Sequence, residues 1–273
     1  MKYNILVTLD SNYLEQLAVM LWSFSVADPE AEIDVYVLNS TLTDADFARL
    51  SGWLHDRRVV CHDIKIDRSV LADAPITDRY PQEIYYRIFA ARYLPRDLDR
   101  VLYLDPDIVI LRPLRELYNM PLDGCYFAAS THVRNRMLTL FNRIRLGIRH
   151  REGKYINSGV MVINLALLRA EQDEKEVFDY IRRKKNVLLL PDQDVISAVY
   201  TERLAFFDPY IYNMTERMLS PLPPKKIDLD WVRGNSAVVH YLGRNKPWKP
   251  GYHGTLGVLY RDFHRAMTQG AEQ

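Results

Sequence analysis

Val101-Leu102-Tyr103-Leu104-Asp105-Pro106-Asp107-Ile108-Val109-Ile110-Leu111 sets two short apolar runs, rich in β-branched residues, on either side of an Asp-Pro-Asp. The first run reads as a buried strand that delivers two carboxylates to its carboxyl end before the chain carries on extended. In extended chain residues i and i+2 point the same way, so Asp105 and Asp107 can reach one ion together. Burying two unpaired carboxylates side by side costs several kcal/mol or drives one to protonate, and a strand that ends this way usually has a cation waiting for it. Oxygen ligands favour a hard divalent metal, Mg²⁺ or Mn²⁺. Without the metal the two charges repel, so Asp105→Asn or Asp107→Asn is expected to leave metal-free stability unchanged or higher. A lone D-x-D is also common as a solvated turn ahead of a helix, and the choice between the two rests on the rest of the chain.

Upstream, residues 3–9 read as a buried strand closed by Asp10-Ser11-Asn12-Tyr13, and a helical pattern then begins with Leu14, Leu17, Ala18, Leu21 and Phe24. A second strand over residues 33–38 leads to Thr43, which caps a helix carrying Phe47, Leu50 and Leu54, with Asp44 and Asp46 in its first turn. Residues 59–66 give a third strand. This β-α-β-α-β rhythm implies a parallel sheet with right-handed crossovers and a binding crevice at the carboxyl ends of its strands. No G-x-G-x-x-G and no P-loop occurs, so the usual dinucleotide and triphosphate fingerprints are absent. Residues 67–82 form a loop rich in Asp and Pro. A helix is expected over residues 83–94 with Tyr85, Tyr86, Phe89 and Tyr93 mostly inward and Arg87 on it.

Downstream, residues 126–130 and 155–165 read as strands. The polar Asn157-Ser158-Gly159 inside the second marks either close backbone approach to something or a bulge. Residues 168–185 have the charge alternation of one solvated helix. Asp192-Gln193-Asp194 follows Pro191 and opens another, where the acids favour the helix dipole or serve a site. The Pro221-Leu222-Pro223-Pro224 stretch is a surface loop, and a strand over residues 237–241 leads into Leu242-Gly243-Arg244-Asn245-Lys246-Pro247-Trp248.

At 273 residues and 48% hydrophobic content the chain has ample material for a core. With 36 Lys+Arg against 35 Asp+Glu, no whole-protein field argues for nucleic acid as a partner. Cys61 and Cys125 are too few and too far apart for a disulfide framework or a four-cysteine zinc site, and read as two buried core thiols in a reducing compartment. No window offers the ~18 uninterrupted apolar residues of a spanning helix. The N-terminus runs straight into a strand with no secretory signal, so a cytoplasmic protein is expected and the Asn213-Met214-Thr215 sequon reads as coincidence.

Together these pieces resemble glycosyltransferase family 8, the retaining sugar-nucleotide transferases that include glycogenin and bacterial lipopolysaccharide hexosyltransferases, over residues 3 to about 250. Asp105-Pro106-Asp107 resembles the family's D-x-D, and His240-Tyr241-Leu242-Gly243 with Lys246-Pro247-Trp248 resembles its H-Y-x-G-x-x-K-P-W. Asn157-Ser158-Gly159-Val160 resembles its N-[SA]-G-V, and Asp192-Gln193-Asp194 completes the set. The resemblance implies a single α/β domain of the GT-A fold, a Rossmann-like, mostly parallel sheet with a small antiparallel extension. Residues 1–110 would form the nucleotide half and 111–250 the donor-sugar and acceptor half, with a C-terminal helix in 251–273.

It further implies Asp105, Asp107 and His240 as metal ligands, a mixed shell that suits Mn²⁺ better than Mg²⁺. Gly243 would let the backbone approach the diphosphate of a UDP-hexose and Lys246 would give it a point charge. Thr8, Asp10 and Asn12 would lie near base and ribose, with Tyr13 stacking on uracil; small residues are common in the family where Thr8 and Leu9 stand. Arg87, Asn157, Asp192 and Gln193 would line the donor hexose, glucose or galactose. Because an amide is a feeble nucleophile, the expected mechanism is front-face substitution, with Gln193 beside the oxocarbenium-like state. The acceptor would be a glycan or a lipid-linked saccharide.

Two other readings compete. A nucleotidyltransferase usually needs a Gly/Arg/Lys-rich loop after its first strand, where this chain has the acidic Asp10-Ser11-Asn12; a non-catalytic sugar-nucleotide sensor would keep the same ligands. Residues 132–154 set Arg134, Arg136, Arg143, Arg145, Arg149, Arg151 and Lys154 against a single acid, Glu152. Val133, Met137, Leu140, Phe141, Ile144 and Ile148 recur at helical spacing, so the segment reads as an amphipathic helix with a basic polar side. It would pack over the sheet with its arginines in water, or attract an anionic acceptor or the anionic inner face of a membrane.

Overall fold

The computed structural model describes residues 1–54, 57–67, 82–132, 135–148, 154–220 and 226–270. The expected loops lie largely outside them, as do Val133, Arg134, Arg149 and Arg151. Strands β1 (Lys2–Thr8), β2 (Glu32–Asn39) and β3 (Val59–Lys65) are joined by helices α1 (Leu14–Ala27) and α2 (Asp44–Trp53). They pair in parallel, β1 with β2 and β2 with β3. The five apolar residues that mark the inner face of α1 are all buried. Thr43 caps α2 reciprocally: its hydroxyl accepts from Asp46 N at 3.3 Å, and the Asp46 carboxylate accepts from Thr43 N at 2.9 Å.

The helix expected over residues 83–94 winds more tightly, as a 3-10 helix from Gln82 to Phe89, followed by the short α3 (Ala90–Tyr93). Tyr85, Tyr86, Ile88 and Phe89 are all buried, and Arg87 with them. A segment buried all round is shaped by what it packs against, and aromatic residues have little helix propensity to resist. Then β4 (Arg100–Leu104) pairs in parallel with β1, and after Asp105-Pro106-Asp107 the chain leaves the sheet as β5 (Ile108–Ile110).

Beyond α4 (Arg115–Tyr118), β6 (Phe127–Ser130) leads to α5 (Arg136–Leu146) and then to β7 (Asn157–Asn164). β7 runs antiparallel to both β4 and β6. The expected single helix after it is two, α6 (Leu165–Glu171) and α7 (Glu174–Lys184). Asp173 breaks it, its carboxylate accepting from Lys175 N at 2.9 Å and Glu176 N at 3.2 Å as the cap of α7. Next come α8 (Pro191–Val199), β8 (Leu204–Phe206), α9 (Pro209–Tyr212), α10 (Leu229–Asn235), β9 (Val238–His240) and α11 (Gly257–Gly270), which packs against α1. The main sheet has the order β3-β2-β1-β4-β7-β6-β8, and β5 and β9 form a second, antiparallel pair. The result is the mostly parallel α/β sheet with a small antiparallel extension that the sequence predicts.

Two packing expectations are corrected. Cys61 and Cys125 are free but only half-buried; Cys61 lies on β3, an edge strand covered on one side only. Helix α5 is amphipathic the other way round. Met137, Leu140, Phe141 and Ile144 are exposed, whereas Asn142 is buried and the Arg145 side chain is 8% exposed. The reason is a stronger demand underneath, a fully buried Asp194 that binds the Arg145 guanidinium.

Candidate active site

β9 runs antiparallel to β5 with His240 opposite Ile108, which sets the imidazole beside the two carboxylates at the end of β4. One ligand atom each from Asp105, Asp107 and His240 lies within 4.8 Å of the other two. Nε2 of His240 is 3.1 Å from Asp107 Oδ1 and 3.7 Å from Asp105 Oδ2. Its Nδ1 is 2.9 Å from Asn213 Oδ1. The Asn213 Nδ2 donates to Ser130 Oγ at 2.9 Å and to Asn157 Oδ1 at 2.8 Å, so Oδ1 accepts and the ring proton belongs on Nδ1. Nε2 then offers a lone pair to the space that both carboxylates face. Asp107 Oδ1 is buried without a hydrogen bond. Two carboxylates and an imidazole aimed at one point, one oxygen among them unsatisfied, fit a divalent cation.

The backbone closes in on this cluster from β7. Asp105 N donates to Gly159 O at 2.8 Å. A Cβ on Gly159 would stand 2.1 Å from His240 Cε1 and 2.7 Å from Asp105 Oδ2. Asn157-Ser158-Gly159 is thus both of the features its sequence leaves open, because the register of β6 on β7 also shifts between Ala129 and Ser130.

Cations balance the acids. The Arg87 NH1 lies 3.0 Å from Asp105 Oδ1 and 3.0 Å from Asp192 Oδ2, and its NH2 donates to Thr8 Oγ1 at 3.2 Å. Its guanidinium stacks on Tyr103, 4.2 Å from the ring centre, and Tyr103 Oη donates to Asp105 Oδ1 at 2.5 Å. Lys246 is buried and ion-paired to Asp107, with a second bond to Tyr241 O at 2.6 Å. Burial pushes the Asp107 carboxyl up, but the facing His240 and Lys246 outweigh it and hold the group below the usual carboxylate range. For Asp192 burial wins over Arg87, and its pKa is raised.

Asp192 and Gln193 sit in the first turn of α8, and Gln193 Oε1 accepts from Asn157 Nδ2 at 3.3 Å and Ser158 N at 3.4 Å. Their neighbour Asp194 is committed elsewhere. It accepts from Arg145 NH1 and NH2 at 2.7 and 2.8 Å, from Tyr155 Oη at 2.6 Å, and from Leu189 N at 2.6 Å. On the opposite side, Asp10 Oδ1 accepts from Asn12 N at 2.9 Å, and the Tyr13 ring stands edge-on to Trp248 at 6.1 Å. Gly243 has φ +88°, a left-handed turn open to glycine and costly for other residues.

The Asp105–Asp107–His240 cluster, Arg87, Lys246, Asn157, Asp192 and Gln193 border one cleft of about 920 Å³ at the carboxyl ends of β1 and β4, with Tyr103, Asn213 and Asp194 behind its wall. Its lining includes Thr8, Leu9, Asp10, Asn12 and Tyr13 from the turn after β1, and Asn157, Asp192 and Gln193 from β7 and α8. Arg87, Asp105, Asp107, His240, Gly243 and Lys246 line it as well. Sequence reasoning missed Tyr103, Arg145, Tyr155 and Asn213. Tyr103 was within reach, two residues before Asp105 on the same strand face; the other three meet their partners only through the tertiary fold.

The chain's residues 4–250 match the profile of Glycosyl transferase family 8. It is 26% identical over 247 residues to the lipopolysaccharide 1,2-glucosyltransferase of Escherichia coli K12, covering 90% of this chain and 72% of that protein. To the lipopolysaccharide 1,3-galactosyltransferase of Salmonella typhimurium it is 25% identical over 256 residues, covering 90% and 73%. The crystal structure of the galactosyltransferase LgtC with donor and acceptor sugar analogues superposes with a TM-score of 0.81 at 23% identity, over 98% of this chain and 99% of that one. That likeness is one of fold, and the profile match spans most of the sequence: the chain belongs to glycosyltransferase family 8.

Proposed function

We propose that this protein is a retaining hexosyltransferase that moves glucose or galactose from a UDP-sugar to a glycan or lipid-linked saccharide, with Mn²⁺ as its metal. The observation that carries the reading is the Asp105–Asp107–His240 cluster opening into the same cleft as Asn157, Asp192 and Gln193. Residues 1–110 hold the nucleotide in this reading and 111–250 the sugar and acceptor. The mixed carboxylate-imidazole set favours Mn²⁺ over Mg²⁺, since imidazole is the softer ligand. When bound, the metal supplies a Lewis acid for the diphosphate leaving group.

The remaining work falls to the protein. Tyr13 stacks on the uracil, while Asp10 and Asn12 hold the ribose. Lys246 adds a point charge beside the diphosphate, stabilising charge that develops as the glycosidic bond breaks. Arg87 and Asp192 form a buried ion pair that presents oriented polar atoms to the hexose hydroxyls, with Asn157 beside them; a sugar lacking a matching hydroxyl leaves such groups unpaired and is rejected. The leaving phosphate oxygen takes the acceptor's proton on the same face, and Gln193 stabilises the oxocarbenium-like state without bonding to it. The engagement of Asp194 by Arg145, Tyr155 and Leu189 supports this front-face course, because a carboxylate so held is a poor nucleophile. The free thiols Cys61 and Cys125 suit a reducing, cytoplasmic setting.

The test is UDP release from UDP-glucose and UDP-galactose with Mn²⁺, followed by NMR of the product's anomeric configuration. Turnover with retention supports the reading. An inverted product refutes the mechanism, and binding without turnover leaves a sensor.

A further inference from the structure

Ten large apolar side chains are exposed among the described residues, and seven of them gather at one place, five on α5 and two in the adjoining turn at Val187 and Leu189. Met137, Leu140, Phe141 and Ile144, at 81%, 53%, 53% and 72% exposure, form a single outward stripe at i, i+3, i+4 and i+7. The neighbouring stripe round the helix, Leu138, Asn142 and Arg145, borders the cleft. Arg145 NH1 donates to Val187 O at 2.7 Å, which ties the turn to the cleft-side flank of the helix. Contiguous exposed apolar surface of this kind is uncommon on a protein that works free in water.

The charge around it narrows the occupant. Residues 136–146 contain no acid, so Arg136 and Arg143 have no counter-ion within the helix, while Arg145 is taken up by Asp194. The basic last turn of α7 abuts the end of α5, where Lys184 Nζ donates to Arg145 O at 3.2 Å. An apolar stripe with a basic rim matches an anionic lipid surface, whose acyl boundary takes the side chains and whose headgroups take the cations. A helix lying in that plane needs no spanning segment, and none of the described helices is long and apolar enough to cross a membrane.

We propose that α5 and the Val187–Leu189 turn dock this protein peripherally on an anionic lipid surface, apolar stripe inward, with the cleft mouth held against the membrane. Because Arg145 is bonded both to the buried Asp194 of α8 and to the turn, the docking surface is rigidly joined to the helix that carries Asp192 and Gln193. The sequence pattern alone suggests a basic outward face; the structure turns the apolar stripe outward, commits Arg145 to Asp194, and leaves Arg143 and the basic last turn of α7 beside the stripe.

Co-sedimentation of the full chain with vesicles tests this, using phosphatidylglycerol mixed with phosphatidylcholine against phosphatidylcholine alone, at low and high salt. Wild type is expected to sediment with the anionic vesicles and to be released by salt. Met137→Ser with Ile144→Ser removes two exposed side chains outside the cleft and should lower the partition coefficient about tenfold or more, with unchanged melting temperature and UDP affinity. Arg143→Gln with Lys184→Gln should weaken binding and flatten its salt dependence. Wild type remaining in the supernatant, or the serine variant sedimenting as well as wild type, overturns the proposal. So does a solution dimer that the serine variant dissociates while neither protein binds vesicles, which would assign the face to a second copy of the chain.

Discussion

Gly159→Ala places one methyl group against two of the predicted ligands, His240 and Asp105. The new carbon would lie 2.1 Å from His240 Cε1 and 2.7 Å from Asp105 Oδ2. Ordinary carbon contacts need about 3.5 Å, so the ring must retreat by about 1.4 Å or the β7 backbone must move. Neither is free to do so. His240 N donates to Met214 O at 2.8 Å and its ring is held by Asn213, while Gly159 O accepts from Asp105 N at 2.8 Å. Metal sites tolerate ligand displacements of about 0.2 Å, so loss of at least the 10–100-fold in affinity typical of a disturbed ligand shell is expected, about 1.4–2.7 kcal/mol. Overpacking should cost a further ~1–3 kcal/mol of stability. Mn²⁺ titration in the presence of UDP, read by the EPR signal of free Mn²⁺, measures the first effect and chemical denaturation the second. Gly52→Ala, where a Cβ meets nothing within 4 Å, is the control and should match wild type in Mn²⁺ affinity and be no less stable. Wild-type Mn²⁺ affinity in Gly159→Ala would refute the assignment of His240 and Asp105 as ligands.

Asp107→Asn should abolish transfer and, against the expectation from charge repulsion alone, lower metal-free stability by about 3 kcal/mol, because it leaves the buried Lys246 without its counter-ion; denaturant unfolding in chelator measures it. Gln193→Ala should cut turnover severely with UDP affinity nearly unchanged by calorimetry, and a sugar found by mass spectrometry on Asp192 or Asp194 of the native enzyme would sink the front-face course. Asn213→Ala should weaken metal binding by freeing the His240 ring, with UDP affinity measured without metal unaffected. Arg115 holds the Asp28 carboxyl below the usual range. The stability this gives is therefore present above the unfolded value of about 3.9 and fades as pH falls through the lower folded value; Arg115→Ala should lower stability near neutral pH and flatten its decline in acid, read by unfolding curves across pH.

Much of the site was legible because its key residues announce themselves locally. Asp105 and Asp107 stand two residues apart in the bend between β4 and β5, and the β-α-β-α-β rhythm puts that strand end at the crevice. His240 is legible only through the resemblance of His240-Tyr241-Leu242-Gly243 with Lys246-Pro247-Trp248 to the family's motif. What sequence could not show was who restrains whom. Asn213 orients His240 from 27 residues away, and no local pattern separates it from a chance sequon. The orientation of α5 failed for a related reason. Its apolar spacing predicts an inner face, but a buried Asp194 elsewhere in the chain binds Arg145 and leaves the apolar stripe outward. The tight 3-10 winding around Arg87 likewise reflects packing on all sides, which periodicity does not encode.

The most direct measurement is the rate of UDP release from UDP-glucose and UDP-galactose by wild type and Asp107→Asn, each with Mn²⁺ and with excess EDTA. The account predicts turnover of one or both donors by wild type with Mn²⁺ only, and none by the variant under either condition. Equal wild-type rates in EDTA, wild-type activity in Asp107→Asn, or pyrophosphate release from a nucleoside triphosphate with no UDP-sugar turnover would contradict it.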